Sequence, residues 1–535
     1  MPLTMSHAVG PLEPEVRDLT LGGLLTWAAE TRPDRLALIF GAPDPAARMQ
    51  WTYAELYTAS VRTAGALLHR FEPGERVAVW APNIPEWIMM EFGAALAGLV
   101  LVTVNPGFRQ HEVEHVLRQS RAAGIVVYPE FRGNPMLATV EEVQQRCPEL
   151  REVIRFDEWA SFLESAADPP PTLPTVDPHD PAMIQFTSGT TGLPKGALLH
   201  HRGVVNNNAH TLDCMGVGDG AVWLTTMPMF HAGGCLLCVV GAVSRRGTQV
   251  LVESFDPALV LELIETYRCD GMSTVPTMLV SMLEHPNFAS TDLSSLKHLS
   301  SGGSTVPAPL VTTFQERLGA AFTVLFGQTE CSPMATMTNP ADSIADKAGT
   351  IGRPMPNTEV KIVDPVTGET VPIGAVGEFC TRGYHVMHGY FEDPVATAAT
   401  VDAAGWLHTG DLCSMDERGY CRIEGRLKDM IIRGGENIYP REVEELLFAH
   451  PKVGEVAIIG LPDDKWGEEV AAVIRPVKGE RVDKAELYAY VRERLAPYKT
   501  PRHWFEVDEF PMTGSGKIQK YKLRQMSANG ELAEL

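Results

Sequence analysis

The densest chemistry in this sequence lies in ten residues, Thr187-Ser-Gly-Thr-Thr-Gly-Leu-Pro-Lys-Gly196. The hydroxyls of Thr187, Ser188, Thr190 and Thr191, the glycines Gly189 and Gly192 and the ammonium of Lys195 fall within one short loop. Backbone amides, hydroxyls and a cation so concentrated suit the oxygens of a phosphate. The loop is not a Walker A motif, which needs Gly, four residues and then Gly-Lys-Ser/Thr. Here Pro194 precedes the lysine and Gly196 follows it, which disfavours a motor-type or switch-type NTPase. Cys235 and Cys238 form a lone C-x-x-C inside an apolar stretch. They read as small buried hydrophobes, not a metal or redox pair.

A phosphate loop needs a strand to hold it, and the apolar run Ala182 to Phe186 supplies one. The same alternation of strand and helix runs along most of the chain. Thr52-Tyr-Ala-Glu55 is a capping box, in which side chains satisfy the first amides of a helix running to about His69. Arg76 to Trp80, Leu99 to Val104 and Gly124 to Tyr128 read as strands. Pro85 to Gly98 and His111 to Ser120 read as the helices between them. This rhythm predicts parallel sheets covered by helices. After a Pro-rich break at Asp168-Pro-Pro-Pro it continues to about residue 340. From about 350 to 425 short strands with Gly, Pro and Asp turns predict a small β-barrel-like subdomain or a distorted antiparallel sheet. A last α+β unit follows, with helices at Arg441 to His450 and Lys484 to Leu495, strands at Glu455 to Gly460 and Val470 to Pro476, and a polar tail after 521.

The 535 residues allow about three or four domain-sized units. Hydrophobic residues make 44% and charged residues 21%, which excludes wholesale disorder. The net charge is −22, so broad attraction to nucleic acid or to anionic lipid is excluded. A polyanionic ligand must be held by local features that oppose the global charge. No secretory signal and no membrane-length apolar run is legible, so at most peripheral membrane contact is expected. The cysteines are scattered, and the chain reads as a reduced, cytoplasmic protein.

Further motifs follow the loop: Ser301-Gly-Gly-Ser304, Phe326-Gly-Gln-Thr-Glu330, Gly405-Trp-Leu-His-Thr-Gly-Asp411, Gly425-Arg-Leu-Lys-Asp429, Gly434-Gly-Glu-Asn437 and Thr513-Gly-Ser-Gly-Lys517. In order and spacing the chain resembles the adenylate-forming superfamily of acyl-CoA synthetases, adenylation domains and luciferases. Its wording is most similar to the fatty-acyl-CoA synthetase branch. The resemblance covers about residues 20 to 525. It implies an α/β fold with a large N-terminal AMP-binding catalytic domain (1–427) and a small mobile α+β C-terminal domain (428–535) carrying a catalytic lysine loop. The reaction implied has two steps. A carboxylate attacks the α-phosphorus of ATP, giving an acyl-adenylate and pyrophosphate; a thiol, usually CoA, then displaces AMP.

The resemblance also assigns roles. Lys517 serves the adenylation step. Glu330 is a ligand of Mg²⁺, a hard cation that takes carboxylate oxygen, and Thr187 adds a hydroxyl. With the loop residues Ser188, Gly189, Thr190, Thr191, Gly192 and Lys195, the nucleotide set comprises Gly302, Gly303, Ser304, Phe326, Gly327, Gln328 and Thr329. Phe326 offers a flat face near the adenine and Thr329 reaches the α-phosphate. Asp411 and Arg426 hold the ribose hydroxyls. Lys428 falls at the family's hinge. Rotation there would exchange Lys517 for the face of Gly434, Gly435 and Glu436, where side-chain-free glycines can border a pantetheine slot. His231, in Met227-Pro-Met-Phe-His-Ala-Gly-Gly234, borders the acyl pocket and thiol entry, as a positioning, gating or structural group.

The substrate is less legible. Met227, Met229, Phe230, Leu236, Leu237, Val239, Met278, Gly302 and Met334 predict an apolar, Met-rich pocket for a hydrophobic carboxylic acid. Some long-chain members carry a Trp gate where Ala232, Gly233 and Gly234 stand, so a medium-chain or branched fatty acid is favoured. Aryl and alicyclic acids are alternatives. Arg433-Gly-Gly-Glu-Asn-Ile-Tyr-Pro440 resembles the CoA-ligase version, and no carrier domain follows residue 535, so free CoA is expected as acceptor over a carrier protein. A non-catalytic nucleotide-binding scaffold is disfavoured by Lys195, Glu330, Asp411, Arg426 and Lys517. A homodimer is left open.

Overall fold

The computed structural model describes residues 2–165, 172–187, 194–304, 306–434, 436–512 and 518–535. Ser188, Gly189, Thr190, Thr191 and Gly192 of the phosphate loop, Gly435 and Lys517 lie outside the described residues.

Among the described residues the strands form four sheets. A seven-stranded sheet has a parallel middle, with Val100–Val104 between Arg76–Trp80 and Pro181–Thr187. All five residues of Val100–Val104 are buried. A strand covered by helices on both faces is apolar without alternation, which is why the sequence shows runs there. A nine-stranded sheet is parallel from Leu36–Phe40 through to Ala321–Gly327, with antiparallel strands at its edges. The expected capping box is present. Glu55 accepts from the Thr52 amide at 2.7 Å, and the Glu55 amide donates to the Thr52 hydroxyl at 3.2 Å. The helix it opens, Tyr53–Leu68, packs on Pro85–Leu96.

The largest apolar core joins helices Leu21–Thr31, Tyr53–Leu68 and Pro85–Leu96 to residues 229–243. In that last segment Gly233–Val240 is a π-helix, a form concentrated at functional sites. The Ala232-Gly-Gly234 departure has a packing reason. A Cβ on Gly234 would lie 2.2 Å from the Pro228 carbonyl oxygen, so only glycine allows this approach.

The short-strand region is an antiparallel sheet of five strands. Its first edge is the N-terminal strand His7–Val9, paired with Thr358–Val363, a long-range partner the alternation did not signal. Gly377–Gly383, Leu407–Met415 and Cys421–Arg426 complete it. The C-terminal sheet has six strands around the long hairpin Val453–Asp463/Gly467–Pro476. Half of the polar tail after 521 belongs to a helix, Lys520–Ala528, that buries Leu523. One buried residue in nine makes no stripe to read from sequence. Among the described residues no helix is long and apolar enough to cross a membrane.

Candidate active site

The strands flanking the phosphate loop form an antiparallel hairpin, with Phe186 opposite Gly196 and Thr187 opposite Lys195 at its open end. The Thr187 hydroxyl lies 3.4 Å from the Lys195 carbonyl oxygen, a long contact that leaves its oxygen available. Gly389–Tyr390 pairs with the outer strand of this hairpin, Tyr390 opposite Ala197. That pairing brings the Tyr390 ring to 5.1 Å from the exposed ammonium of Lys195. The Tyr390 hydroxyl donates to Glu330 Oε1 at 2.7 Å. Glu330 sits in the single turn Thr329–Cys331 after strand Ala321–Gly327, and its backbone oxygen accepts from the Met387 amide at 2.9 Å. Two sheets thus meet at Lys195, Tyr390 and Glu330. Burial and the adjacent carboxylate push the Tyr390 phenol up, so it stays a donor. Sequence reasoning missed Tyr390; its signal, a tyrosine closing Gly383 to Tyr390, gains meaning only from the pairing.

Gln328 joins this turn to the antiparallel sheet. Its side-chain amide donates to the Thr409 carbonyl and to Asp411 Oδ2, both at 2.9 Å. Arg426, opposite Asp411 in register, donates from Nε to Asp411 Oδ1 at 2.9 Å. Asp411 is 4% exposed. The half-buried Phe326 meets Phe379 edge-on at 5.2 Å between ring centres. Gln328, Asp411 and Arg426 are therefore one network, although 83 residues separate the first two. Gly302 ends its strand beside the Leu325 carbonyl, and Gly303 and Ser304 are exposed in the bend beyond.

Behind Asp411, Glu378 pairs with His408 Nδ1 at 2.8 Å and accepts from the Gly410 amide at 3.0 Å. Glu378, Cys380 and His408 each offer a ligand atom, all within 4.8 Å of one another. The hydrogen bonds already satisfy the Glu378–His408 pair, and burial pushes the Cys380 thiol far up, away from the thiolate a metal would bind.

His231 is exposed, and its Nδ1 accepts from the Gly233 amide at 3.1 Å, which fixes the entry to the π-helix. Asn83 clamps the preceding segment: Oδ1 accepts from the Met229 amide at 2.8 Å, and Nδ2 donates to Met227 O and Val252 O, each at 3.1 Å. A buried asparagine 146 residues upstream of Met229 gave no signal in the sequence. The proposed pocket residues divide. Met229, Leu236 and Val239 belong to the large core and Leu237 to a smaller cluster, whereas Met227, Phe230, Met278 and Met334 are only partly buried. Cys235 and Cys238 are free and buried, and all nine cysteines are free. Glu91 is buried with neither carboxylate oxygen hydrogen-bonded, and desolvation pushes its carboxyl well above the usual range.

In the C-terminal unit, Lys428 is exposed in the turn Leu427–Asp429. Arg524 binds Asp429 at 3.0 Å and Lys520 binds Glu444 at 2.6 Å, fastening the last helix beside that turn. Gly434 has φ +61°, and a Cβ there would stand 2.8 Å from the Trp466 ring. Arg433 holds buried Glu469 through two bonds, at 2.7 and 2.8 Å. Glu436 is exposed.

A hairpin with a lysine at its open end, a buried carboxylate and a Gln–Asp–Arg network are compatible with a nucleotide-using enzyme, and the family matches make the chain one of the adenylate-forming class. The "AMP-binding enzyme" family matches residues 25–391, and the "AMP-binding enzyme C-terminal domain" matches 442–517. The chain belongs to the AMP-binding enzyme family. It is 41% identical to the putative acyl-CoA synthetase YngI of Bacillus subtilis (strain 168), over 95% of this chain and 96% of that one. It is 36% identical to the mitochondrial medium-chain acyl-CoA ligase ACSF2 of Danio rerio, over 98% and 91%. The ATP-bound MatB of Rhodopseudomonas palustris superposes with a TM-score of 0.87 at 27% identity, over 96% and 100%.

Proposed function

We propose that this AMP-forming acid–CoA ligase activates a hydrophobic, medium-length or branched carboxylic acid and passes it to free CoA. The observation that carries the nucleotide assignment is the convergence of Lys195, Tyr390 and Glu330 beside the Gln328–Asp411–Arg426 network. The relatives support the acid and acceptor, one being named an acyl-CoA synthetase and another a medium-chain acyl-CoA ligase.

In the first step Lys195 and the loop amides bind the phosphates, and Asp411 with Arg426 orients the ribose. Phe326 borders the adenine, and Thr329 reaches toward the α-phosphate. Lys517 stabilises charge developing as the acid's carboxylate attacks phosphorus and pyrophosphate leaves. Hard oxygen donors at Glu330 and Thr187 fit Mg²⁺, which would offset the charge of the phosphates when bound. Tyr390 occupies one oxygen of Glu330 and leaves the other for such an ion.

In the second step the C-terminal unit, 428–535, turns about Lys428. The face of Gly434, Gly435 and Glu436 then replaces Lys517, and the CoA thiol displaces AMP. His231 positions the acyl carboxylate at the mouth of the pocket. The free cysteines support a reducing, cytoplasmic setting. The test is a thioester assay over linear, branched, aryl and alicyclic acids, with AMP and thioester followed separately. Highest kcat/KM for linear or branched acids of medium length supports the reading. A preference for aryl acids, or transfer only to a holo-carrier protein, overturns it.

A further inference from the structure

The carboxylate of Asp411 projects from a β-bulge that the strand ladder alone cannot support. Between the pairs Glu378–Leu412 and Cys380–His408, one strand contributes Phe379 and the other contributes Thr409, Gly410 and Asp411. Extra residues in a bulge lose their ladder partners and re-aim their side chains. Side chains restore the lost bonds here. The Thr409 hydroxyl donates to Phe379 O at 2.7 Å and accepts from the Asp411 amide at 3.1 Å. Glu378 Oε1 accepts from the Gly410 amide at 3.0 Å, with Gly410 at φ +70°. Glu378 Oε2 holds His408 Nδ1 at 2.8 Å. One carboxylate, with its side chain 12% exposed, thus grips the bulge at its start and its centre.

We infer that Glu378, paired with His408, is a positioning residue for nucleotide binding: it fixes the bulge that turns Asp411 toward the ribose diol, and so sets the enzyme's affinity for ATP. The inference rests on reading Asp411 as the ribose ligand. The charged groups facing His408 are Glu378 and, at 3.6 Å from Nε2, Asp402; the Cys380 sulfur lies 3.4 Å from Nδ1, and Lys361 acts on Asp402 and Cys380. The Glu378 hydrogen bond, the largest influence, raises the His408 pKa. The pair is therefore at full strength below the ordinary histidine value and weakens as pH rises through the raised one.

The test measures KM for ATP and for the acid by acid-dependent pyrophosphate exchange from pH 6 to 9, with ATP and 2′,3′-dideoxy-ATP. Glu378→Ala removes both bonds; Glu378→Gln keeps an acceptor for the Gly410 amide but not the ion pair; His408→Gln removes the titrating group. Loss of a charge-assisted bond predicts a rise of about tenfold in KM for ATP in Glu378→Ala. KM for the acid and kcat should stay within about twofold. Preference for ATP over the dideoxy analogue should shrink, and Glu378→Gln should recover part of the loss. The rise of wild-type KM for ATP with pH should flatten in His408→Gln. Equal rises in both KM values, an undiminished preference for the diol, or a pH profile unchanged in His408→Gln overturns the inference. Should Glu378→Ala fail to fold, Glu378→Gln and His408→Gln decide alone. Asp411→Asn separates the readings. If it leaves KM for ATP unchanged, the ribose assignment fails; if it raises KM while the Glu378 variants do not, the inference alone fails.

Discussion

Replacing Tyr390 by phenylalanine deletes a single oxygen and tests how Glu330 is held. The phenol donates to Glu330 Oε1 at 2.7 Å, and Glu330 is 8% exposed. The backbone of Glu330 is anchored independently by the Met387 amide, so the change falls on the side chain. The aromatic face beneath Lys195 remains in the variant. Hydrogen bonds to a charged group contribute about 1.5–3 kcal/mol, and water enters poorly at this depth to replace the lost donor. At about 1.4 kcal/mol per tenfold, the adenylation barrier should rise enough to slow the step roughly 10- to 150-fold. The assay is acid-dependent pyrophosphate exchange at varied Mg²⁺, beside thioester formation from supplied acyl-adenylate. Exchange should fall within that range, and half-activation should need more Mg²⁺. Thioester formation should change less than about threefold. Exchange within twofold of wild type, or equal loss in both half-reactions, would refute the reasoning. Tyr390→Leu, which also removes the ring, should lose a further factor of about two to five from the cation–π contact.

Three other outcomes follow from the same geometry. Lys517→Ala should abolish adenylate formation yet spare thioester formation from supplied acyl-adenylate, and equal loss of both half-reactions would refute the two-state arrangement. Glu91→Leu should stabilise the fold at pH 8 by about 1–3 kcal/mol, because a buried unpaired carboxyl is removed. Its raised folded pKa makes the native cost grow as pH rises above the ordinary carboxyl value, so the gain in melting temperature should be smaller at pH 5. Glu469→Ala should cost about 3–5 kcal/mol in urea unfolding by stranding Arg433, whereas Arg433→Met with Glu469→Leu should recover most of that loss.

Much of the architecture was legible because its signals are local. Apolar runs marked the parallel strands, a Thr and a Glu three residues apart marked a helix start, and the ordered motifs pointed to the family. The motifs also contained Glu330, Asp411 and Arg426, since the residue types proposed for ribose and magnesium are recognisable in short windows. What holds those groups was not legible. Tyr390 reaches Glu330 because a two-residue strand joins the loop hairpin, and Asn83 clamps Met229 from a distant segment. The terminal helix announced itself with a single buried leucine.

The sequence by itself determined the chemistry available to this protein: a loop rich in Gly, Ser and Thr with a lysine, carboxylates, and glycines in a family's order. Only the tertiary structure decided which side chain holds which, as with Glu378 gripping a bulge in the neighbouring strand beside Asp411. The reason is physical. Propensity and periodicity act between residues a few positions apart, whereas strand pairing and bulges bring together groups whose separation along the chain carries no periodic trace.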